Sequence, residues 1–212
     1  MNKKIIILAI AGLGAWWLLR KSAKTENYLF DVTDTVNSTI STLTGAVGMG
    51  GFFKVSNARL AKVDMLNNTN VKAMLAVIRK GEGTSDSNGY RRIFGGQMFD
   101  GFADHPRILV KKNGYSSTAA GAYQFLASTW DETARIMGLK DFTPANQDLG
   151  ALGRIAARGA LDDVIAGRFE TALKKIAKEW ASLPFSRYGQ PVQTLQGAKN
   201  VYLANNGFIE SA

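Results

Sequence analysis

Apolar residues that recur at helical spacing constrain the fold of this chain more than any other feature of its sequence. The first run follows residue 67, has capping side chains at residues 68–70, and ends at Gly81. Its apolar face consists of Val71, Met74, Leu75 and Ile78. Further helices are predicted over residues 124–137 or 128–137, 144–158, 162–166, 170–180 and 191–202. Residues 82–115 are rich in glycine and leave room for a short strand or hairpin. The pattern therefore predicts a mainly α domain with a small irregular or β element.

Residues 1–24 form a unit of different composition. Lys3 and Lys4 precede the uncharged run 5–19, and basic residues follow it. A helix of this length spans about 22 Å, less than the roughly 30 Å of a bilayer core, although flanking lysines and local thinning of the bilayer can compensate. Trp16 and Trp17 lie where interfacial aromatic residues are found. We therefore predict a transmembrane anchor over 1–24, with a secretory signal peptide or a soluble core helix as alternatives.

Residues 25–66 are dominated by Thr, Ser, Asn and Gly. Four aliphatic residues within them occur at helical spacing: Val32, Val36, Ile40 and Leu43. The segment is either a flexible spacer with one partly ordered helix, or a stalk that holds an enzyme away from a membrane or docks a partner. The predicted organisation is an anchor over 1–24, a stalk over 25–66 and a compact domain over 67–212.

The composition excludes several kinds of chemistry. The chain has no cysteine and a single histidine, His105, which removes thiol nucleophiles and argues against a histidine-based zinc site. A Ser-His-Asp triad would have to use His105. The net charge of +9 suits an anionic partner, either nucleic acid or the bacterial cell wall. Because the sequence has no helix-turn-helix, aromatic platform or basic cluster, we expect no nucleic-acid binding, and we predict no metal or cofactor.

Glu82 is the residue best placed for acid–base chemistry. The other five glutamates occur in polar helical or terminal contexts that are typical of solvated carboxylates. Glu82 instead follows an apolar helix and lies between Gly81 and Gly83, which leaves space for a bulky ligand. Partial burial raises the pKa of a carboxyl and keeps it protonated near neutral pH, as a general acid requires. The alternative is that Glu82 is an ordinary turn residue with no catalytic role.

Short motifs in a fixed order connect this segment to a known family. They include Gly81-Glu82-Gly83-Thr84, Gly89-Tyr90, Phe94-Gly95-Gly96, Asp104-His105-Pro106-Arg107, Ala120-Gly121-Ala122-Tyr123-Gln124, Trp180-Ala181-Ser182-Leu183-Pro184 and Tyr188-Gly189-Gln190. On these motifs, residues 71–190 resemble the lysozyme-like transglycosylases (endolysins) of phage lambda and its relatives. The stretch between Thr84 and Gly89 is shorter here than in the lambda enzyme, and residues 1–66 have no counterpart there.

The resemblance implies roles for particular residues. Glu82 would be the catalytic acid, and residues 104–113 and 184–191 would be the two lips of a saccharide cleft. The run around Gln124 would line the floor of that cleft. The candidate substrate-binding residues are Tyr90, Asp104, His105, Ser117, Tyr123, Gln124 and Tyr188.

Several of these residues have structural alternatives. His105 could order a loop through hydrogen bonds, Asp104 could be a turn carboxylate, and the tyrosines could belong to the core. Trp130 and Trp180 are predicted to be core residues.

The resemblance also sets the expected function. A member would cleave the β-1,4 bond between N-acetylmuramic acid and N-acetylglucosamine in peptidoglycan with one carboxyl, forming a 1,6-anhydro product. The alternatives are a hydrolytic muramidase and a non-catalytic wall-binding or virion protein with the same fold. The expected partners are peptidoglycan, a membrane through residues 5–19, and virion or membrane proteins through residues 25–66. The expected location is the host inner membrane with the catalytic domain in the periplasm, or the virion, for host lysis or wall penetration.

Overall fold

The computed structural model describes residues 57–112, 114–188 and 191–211. Two strands, β1 (Val110–Lys112) and β2 (Tyr115–Ser117), form an antiparallel hairpin, and 3₁₀-helices cover Val63–Asn67 and Gly89–Arg91. The predicted mainly α domain with a small β element is confirmed. The α-helices are α1 (Thr69–Gly81), α2 (Ala127–Met137), α3 (Pro144–Ala157), α4 (Leu161–Ala166), α5 (Phe169–Ile176) and α6 (Leu195–Ala204).

Helix α1 lies at the centre of the domain, where it packs against α3, α4 and α6. Asn68 caps it as predicted, because its side chain accepts a hydrogen bond from Val71 N at 3.1 Å. The predicted apolar face is buried, and so are Ala73 and Val77 beside it. The buried surface is wider than one stripe because neighbouring elements cover the helix on several sides. The core therefore holds the carboxyl end of α1, which leads into Glu82.

Glycine ends helices α2 and α4 as the sequence predicts. Gly138 and Gly167 both adopt the left-handed conformation, with φ of 73° and 80°. Pro144 occupies the first position of α3, where its missing N–H costs nothing. Helix α2 begins at Ala127, close to the later of its two predicted starts.

Two helix boundaries differ from the prediction. Helix α5 ends at Ile176, and a series of turns carries the chain from there to Trp180. Helix α6 begins at Leu195 because the side chain of Thr194 caps it at that point. The preceding residues lie outside the helix, so the backbone N–H of Gln193 is able to donate to Ser182 O.

Glu179, which the sequence suggested is solvated, is buried in a network of ion pairs. Arg154 Nε lies 2.7 Å from Glu179 Oε1, and Arg158 Nη2 lies 2.7 Å from Oε2. Arg154 Nη1 also pairs with Glu132 at 2.8 Å. Burial by itself would raise the pKa of Glu179, but the two guanidinium groups outweigh it and the pKa is lowered. The expectation was wrong because local polarity does not reveal partners on other helices. The network fastens the turn after α5 to α2 and α3.

Aromatic side chains fill the core around Phe142. The rings of Trp130, Phe125 and His105 meet it edge-on, with centroid distances of 4.6, 6.4 and 4.9 Å. Trp130 and Trp180 are both buried, so their assignment to the core is confirmed.

The predicted anchor and most of the predicted stalk lie outside the described residues. Within the ranges given above, no helix is long and apolar enough to cross a membrane. Ala61 is part of the core, and Val63–Asn67 packs against α1 and α3. Residues just before 67 thus pack with the domain, while the division into anchor, stalk and domain stays a prediction.

Candidate active site

The end of helix α1 places Glu82 in the protein interior. The N–H of Glu82 donates to Ile78 O at 2.9 Å and so closes the last turn of the helix. Gly83 then adopts a left-handed φ of 68°, which a residue with a Cβ takes only at a cost. Thr84 is buried, and its Oγ1 donates to Ala122 O at 2.5 Å. The Gly-Glu-Gly-Thr motif is therefore a helix terminus that holds the acid between two fixed points.

The carboxyl of Glu82 has one bonded oxygen and one unpartnered oxygen. Ser182 Oγ donates to Oε1 at 2.7 Å, whereas Oε2 is buried and has no partner among the described residues. Glu82 is only 3% exposed, and this burial raises its pKa to about 8 against the smaller opposing effect of Ser182. The group is therefore protonated at neutral pH. Because Oε1 accepts a hydrogen bond, the proton lies on Oε2.

Gly81 allows Ser182 to approach the acid. A Cβ at residue 81 would lie 2.5 Å from Ser182 Oγ and 2.4 Å from Gln193 Nε2, closer than non-bonded atoms come. Gln193 fixes this segment, because its N–H donates to Ser182 O at 2.8 Å and its Nε2 donates to Val77 O at 3.0 Å. A side chain at residue 81 would therefore force Ser182 and Gln193 to shift away from α1.

Sequence reasoning missed Ser182 and Gln193 as site residues. Ser182 lies 100 positions from Glu82 along the chain, and no local pattern marks a serine as the partner of a distant carboxyl. The one available signal was its place in the Trp-Ala-Ser-Leu-Pro motif. Gln193 had no signal, because its segment was predicted to be helical.

Glu82 supplies one of the few unpaired buried polar atoms of the described residues. Among the described residues, three buried side-chain atoms lack a hydrogen-bond partner: Glu82 Oε2, Arg92 Nε and Ser186 Oγ. Arg92 Nη1 donates to Gly83 O at 2.7 Å, so this guanidinium adjoins the residue after the acid. Ser186 follows Ser182 by four residues. Buried polar groups are normally paired, so the unpaired Glu82 Oε2 marks a point where a polar group of a ligand would complete a hydrogen bond.

The hydroxyls of Tyr90 and Tyr123 bind the same partly buried carboxylate, that of Asp148. Their hydroxyls donate to Asp148 Oδ1 at 2.8 and 2.6 Å, and the Arg79 guanidinium lies 4.6 Å from the centroid of the Tyr90 ring. Burial raises the pKa of Asp148, and the two hydroxyls partly offset this. Tyr123 is buried, in keeping with the core alternative, whereas Tyr90 is half-buried. Both hydroxyls are committed to Asp148, so the predicted sugar contact of Tyr90 would use its ring.

Asp104 and His105 order the loop before β1. His105 Nδ1 accepts from Arg107 N at 3.1 Å, so Nε2 carries the hydrogen and donates to Phe125 O at 2.8 Å. Burial lowers the pKa of His105 and favours this neutral ring. Asp104 accepts from the Arg107 guanidinium, which also binds Asp131 on α2 at 2.6 Å. These contacts match the loop-ordering and turn-carboxylate alternatives, and the substrate contacts of both residues stay predictions.

The remaining candidates occupy three different settings. Ser117 is buried, and its Oγ accepts from Ala119 N at 3.0 Å. Gln124 is buried in a left-handed conformation, and its Nε2 donates to Arg92 O at 3.1 Å, which links it to the neighbourhood of Glu82. Tyr188 is partly exposed, and its hydroxyl donates to a backbone carbonyl. The role of these three residues in substrate binding stays a prediction.

Glu82 is electrostatically isolated. Burial raises its pKa and the Ser182 hydrogen bond partly offsets this, with no contribution from a carboxylate of the described residues. Asp86 and Asp100, the acidic residues on either side of the Gly89–Arg91 turn, are paired with arginines. In the part of the chain that the structure describes, no three His, Cys, Asp or Glu side chains could together hold a metal ion. The described site thus offers the chemistry of one neutral carboxylic acid.

The fold and the site define a lysozyme-like enzyme. The structure matches the lysozyme of bacteriophage lambda in complex with a chitohexasaccharide, with a TM-score of 0.64 and 35% identity. The match covers 68% of this chain and 97% of that chain. A second structure of the lambda lysozyme matches with a TM-score of 0.60 and the same identity and coverage.

The chain belongs to the endolysin family, whose model matches residues 72–209. It is 42% identical to the endolysin of Escherichia phage lambda over 130 residues, which cover 58% of this chain and 82% of the relative. It is 34% identical to the endolysin of Escherichia phage P2 over 154 residues, which cover 65% and 93%. The protein is therefore a phage peptidoglycan-cleaving glycosidase, and the resemblance drawn from the motifs is confirmed.

Replacing Glu82 by Gln should stabilise the fold above neutral pH. Below pH 4.5 the carboxyl is protonated in both the folded and the unfolded chain, so its burial carries no ionisation penalty. Because the folded pKa is about 8, the free energy of unfolding falls as the pH rises from 4.5 to 8, and the loss is complete above that. Gln cannot ionise but still accepts from Ser182. We expect Glu82→Gln to raise the free energy of unfolding by on the order of 5 kcal/mol above pH 8, and by little at acidic pH.

Urea denaturation of both proteins at acidic and alkaline pH measures this difference. Glu170→Gln is the matched control, because the Glu170 side chain is 57% exposed on α5 and should show no such pH dependence. A gain in Glu82→Gln that is equal at both pH values would contradict the buried, ionisable carboxyl.

Replacing Ser182 by Ala should move the alkaline limit of activity upward. The Ser182 hydrogen bond favours the ionised form of Glu82, so its removal raises the pKa of the acid further. The hydroxyl also orients the carboxyl, so we expect the rate to fall roughly tenfold while the alkaline limb of the pH–rate profile shifts up by roughly one pH unit. Wall-lysis rates across the pH range measure both effects. Ser128→Ala, on the exposed surface of α2, should leave the profile unchanged. A limb that moves to lower pH would disprove the assigned role of Ser182.

Proposed function

We propose that this endolysin is a lytic transglycosylase that uses Glu82 as its only acid–base group. It would cleave the bond between N-acetylmuramic acid and N-acetylglucosamine in peptidoglycan. The observation that most supports this is the solitary state of Glu82, which is protonated at neutral pH and whose pKa no carboxylate of the described residues shifts. Glycosidases that hydrolyse their substrate ordinarily need two carboxyl groups, one as acid and one as base or nucleophile.

One carboxyl is sufficient when the substrate provides the nucleophile. Protonated Glu82 donates its Oε2 proton to the bridging glycosidic oxygen, and the bond from that oxygen to the muramic anomeric carbon breaks. The 6-hydroxyl oxygen of the same muramic residue attacks the anomeric carbon and forms the 1,6-anhydro ring. Its proton passes to the Glu82 carboxylate, which restores the acid. No water is consumed, and the intramolecular attack has an entropic advantage over recruiting a second reactant.

The burial of Oε2 adds a condition to this mechanism. The oxygen that carries the proton has no partner in the described part of the chain and is not exposed in the free protein. A saccharide therefore has to displace the side chains that cover the acid before the proton can move. The substrate then takes the place of those side chains and keeps water from the acid, so the pKa of Glu82 stays high until transfer.

The comparisons support the class of ligand. The lambda lysozyme structure that this domain matches was solved with a chitohexasaccharide, a chain of β-linked N-acetylglucosamine units. Peptidoglycan alternates this sugar with its lactyl ether, so the same cleft suits both polymers. The basic character of the chain also suits the anionic cell wall.

Muropeptides released from purified peptidoglycan should end in 1,6-anhydro-muramic acid. Mass spectrometry of these products measures this, because each anhydro end is lighter than a hydrolytic end by the mass of one water. Glu82→Gln should lower the rate by at least about a thousandfold, since Gln has no proton to donate. Glu179→Gln is unsuitable as a control because of its buried ion pairs, so Glu170→Gln serves instead.

Hydrated ends would establish a muramidase and require a second carboxylate. Full activity of Glu82→Gln would refute the role of Glu82 altogether. If no products formed, a non-catalytic wall-binding or virion protein would be the better description.

We further propose that residues 5–19 hold the enzyme at the host inner membrane with its catalytic domain in the periplasm, or on a virion that carries it to the wall. The support is the uncharged run itself, its basic flanks and the pair Trp16-Trp17. An enzyme held in this way would act on the wall within reach of residues 25–66, in host lysis or in wall penetration.

Full-length protein should co-sediment with membranes and resist alkaline extraction. Two charges in the apolar run, Leu8→Asp with Leu13→Asp, should move it to the soluble fraction, because each buried Asp costs about 3 kcal/mol near the centre of a membrane helix. Ser22→Asp with Thr25→Asp adds the same charge outside the run and should leave the distribution unchanged. Equal solubility of all three proteins would rule out the anchor.

A further inference from the structure

Phe185 has a backbone conformation that its side chain makes costly. Its φ is 69°, in the left-handed region that residues with a bulky side chain rarely adopt. It occupies the third position of a turn closed by a hydrogen bond from Ser186 N to Leu183 O at 3.2 Å. Pro184 holds the second position at negative φ, so the turn follows the type II pattern, in which the third position favours glycine. The chain therefore has an aromatic side chain at a position whose backbone conformation favours glycine.

The Phe185 ring is not part of the hydrophobic core. It is 42% exposed, whereas Leu183 and Pro184 before it are buried. Lys174 on α5 lies with its Nζ 5.3 Å from the ring centroid, a cation–π contact that favours one orientation of the ring. A single exposed apolar residue needs no explanation by itself. An exposed aromatic residue at a strained position does, because folding would be easier without it.

The turn that carries Phe185 adjoins the acid. Ser182, which donates to Glu82, precedes Phe185 by three residues, so their Cα atoms are at most about 11 Å apart. Ser186, the next residue, has a buried Oγ with no partner in the part of the chain described. A fixed aromatic ring and an unpaired hydroxyl therefore lie together, within the length of a short oligosaccharide from Glu82.

We propose that Phe185 is a saccharide-stacking residue of the substrate site. The C–H groups on one face of a pyranose ring pack against an aromatic face, and this contact needs a ring that is exposed and held in orientation. Phe185 meets both conditions. Its contribution is to binding and not to proton transfer, because it has no titratable group. The inference rests on the saccharide-cleaving function proposed above and adds to it a binding residue near the acid.

Binding of chitohexaose to the Glu82→Gln protein tests the inference without turnover. Titration calorimetry compares this parent with the same protein carrying Phe185→Gly, Phe185→Leu or Phe185→Trp. We expect Phe185→Gly and Phe185→Leu to weaken binding roughly three- to tenfold, and Phe185→Trp to bind within about twofold of the parent. Because glycine adopts the left-handed conformation freely, Phe185→Gly should melt at the same temperature as the parent or higher.

The outcomes separate the inference from the function on which it rests. If the parent binds chitohexaose and Phe185→Gly or Phe185→Leu binds it equally well, stacking by Phe185 is refuted while the saccharide site stands. If Phe185→Gly melts well below the parent, the ring serves the fold and the inference fails. If the parent itself binds neither chitohexaose nor peptidoglycan fragments, the proposed function fails first.

Discussion

The contact between Glu82 and Ser182 is the constraint on which the site depends. It brings the end of the central helix against a segment 100 residues away and buries a carboxyl between them. Gly81 permits the approach because any larger residue would collide with Ser182 and Gln193. Gln193 then ties the second segment to the backbone of α1. The acid is therefore positioned by packing between distant segments, and its raised pKa follows from that packing.

The property that suits Glu82 to act as an acid also lowers the stability of the fold. A carboxyl that stays protonated near neutral pH is useful as an acid because its ionisation is unfavourable, and the same unfavourable ionisation weakens the fold as the pH rises. The surrounding walls are held by ion pairs and by hydrogen bonds. Glu179 joins α2 and α3 to the turn that leads to Ser182, and Asp148 accepts from the two tyrosines below the site. Ion pairs and hydrogen bonds hold the frame, whereas Glu82 Oε2 has no partner among the described residues.

The two loops expected to form the lips of the cleft are ordered by different means. The loop at Asp104 is held by buried His105 and by the Arg107 guanidinium, which reaches α2. The turn at Phe185 is held by a backbone hydrogen bond and by Lys174, at the cost of a strained backbone conformation. The first arrangement is explained by the stability of the loop. The second is not, which is why Phe185 invites a functional explanation and His105 does not require one.

The sequence by itself determined the helical class, most helix ends and the candidate acid, because each rests on a short-range rule. Apolar spacing set the buried face of α1, Gly138 and Gly167 ended their helices, and the flanking glycines marked Glu82. The family followed from motifs in order. Only the tertiary structure decided that Ser182 and Gln193 complete the site, that Glu179 is buried, and that α6 begins at Leu195. Those facts depend on contacts between segments far apart in the chain, and local pattern carries no information about which polar side chain finds a buried partner.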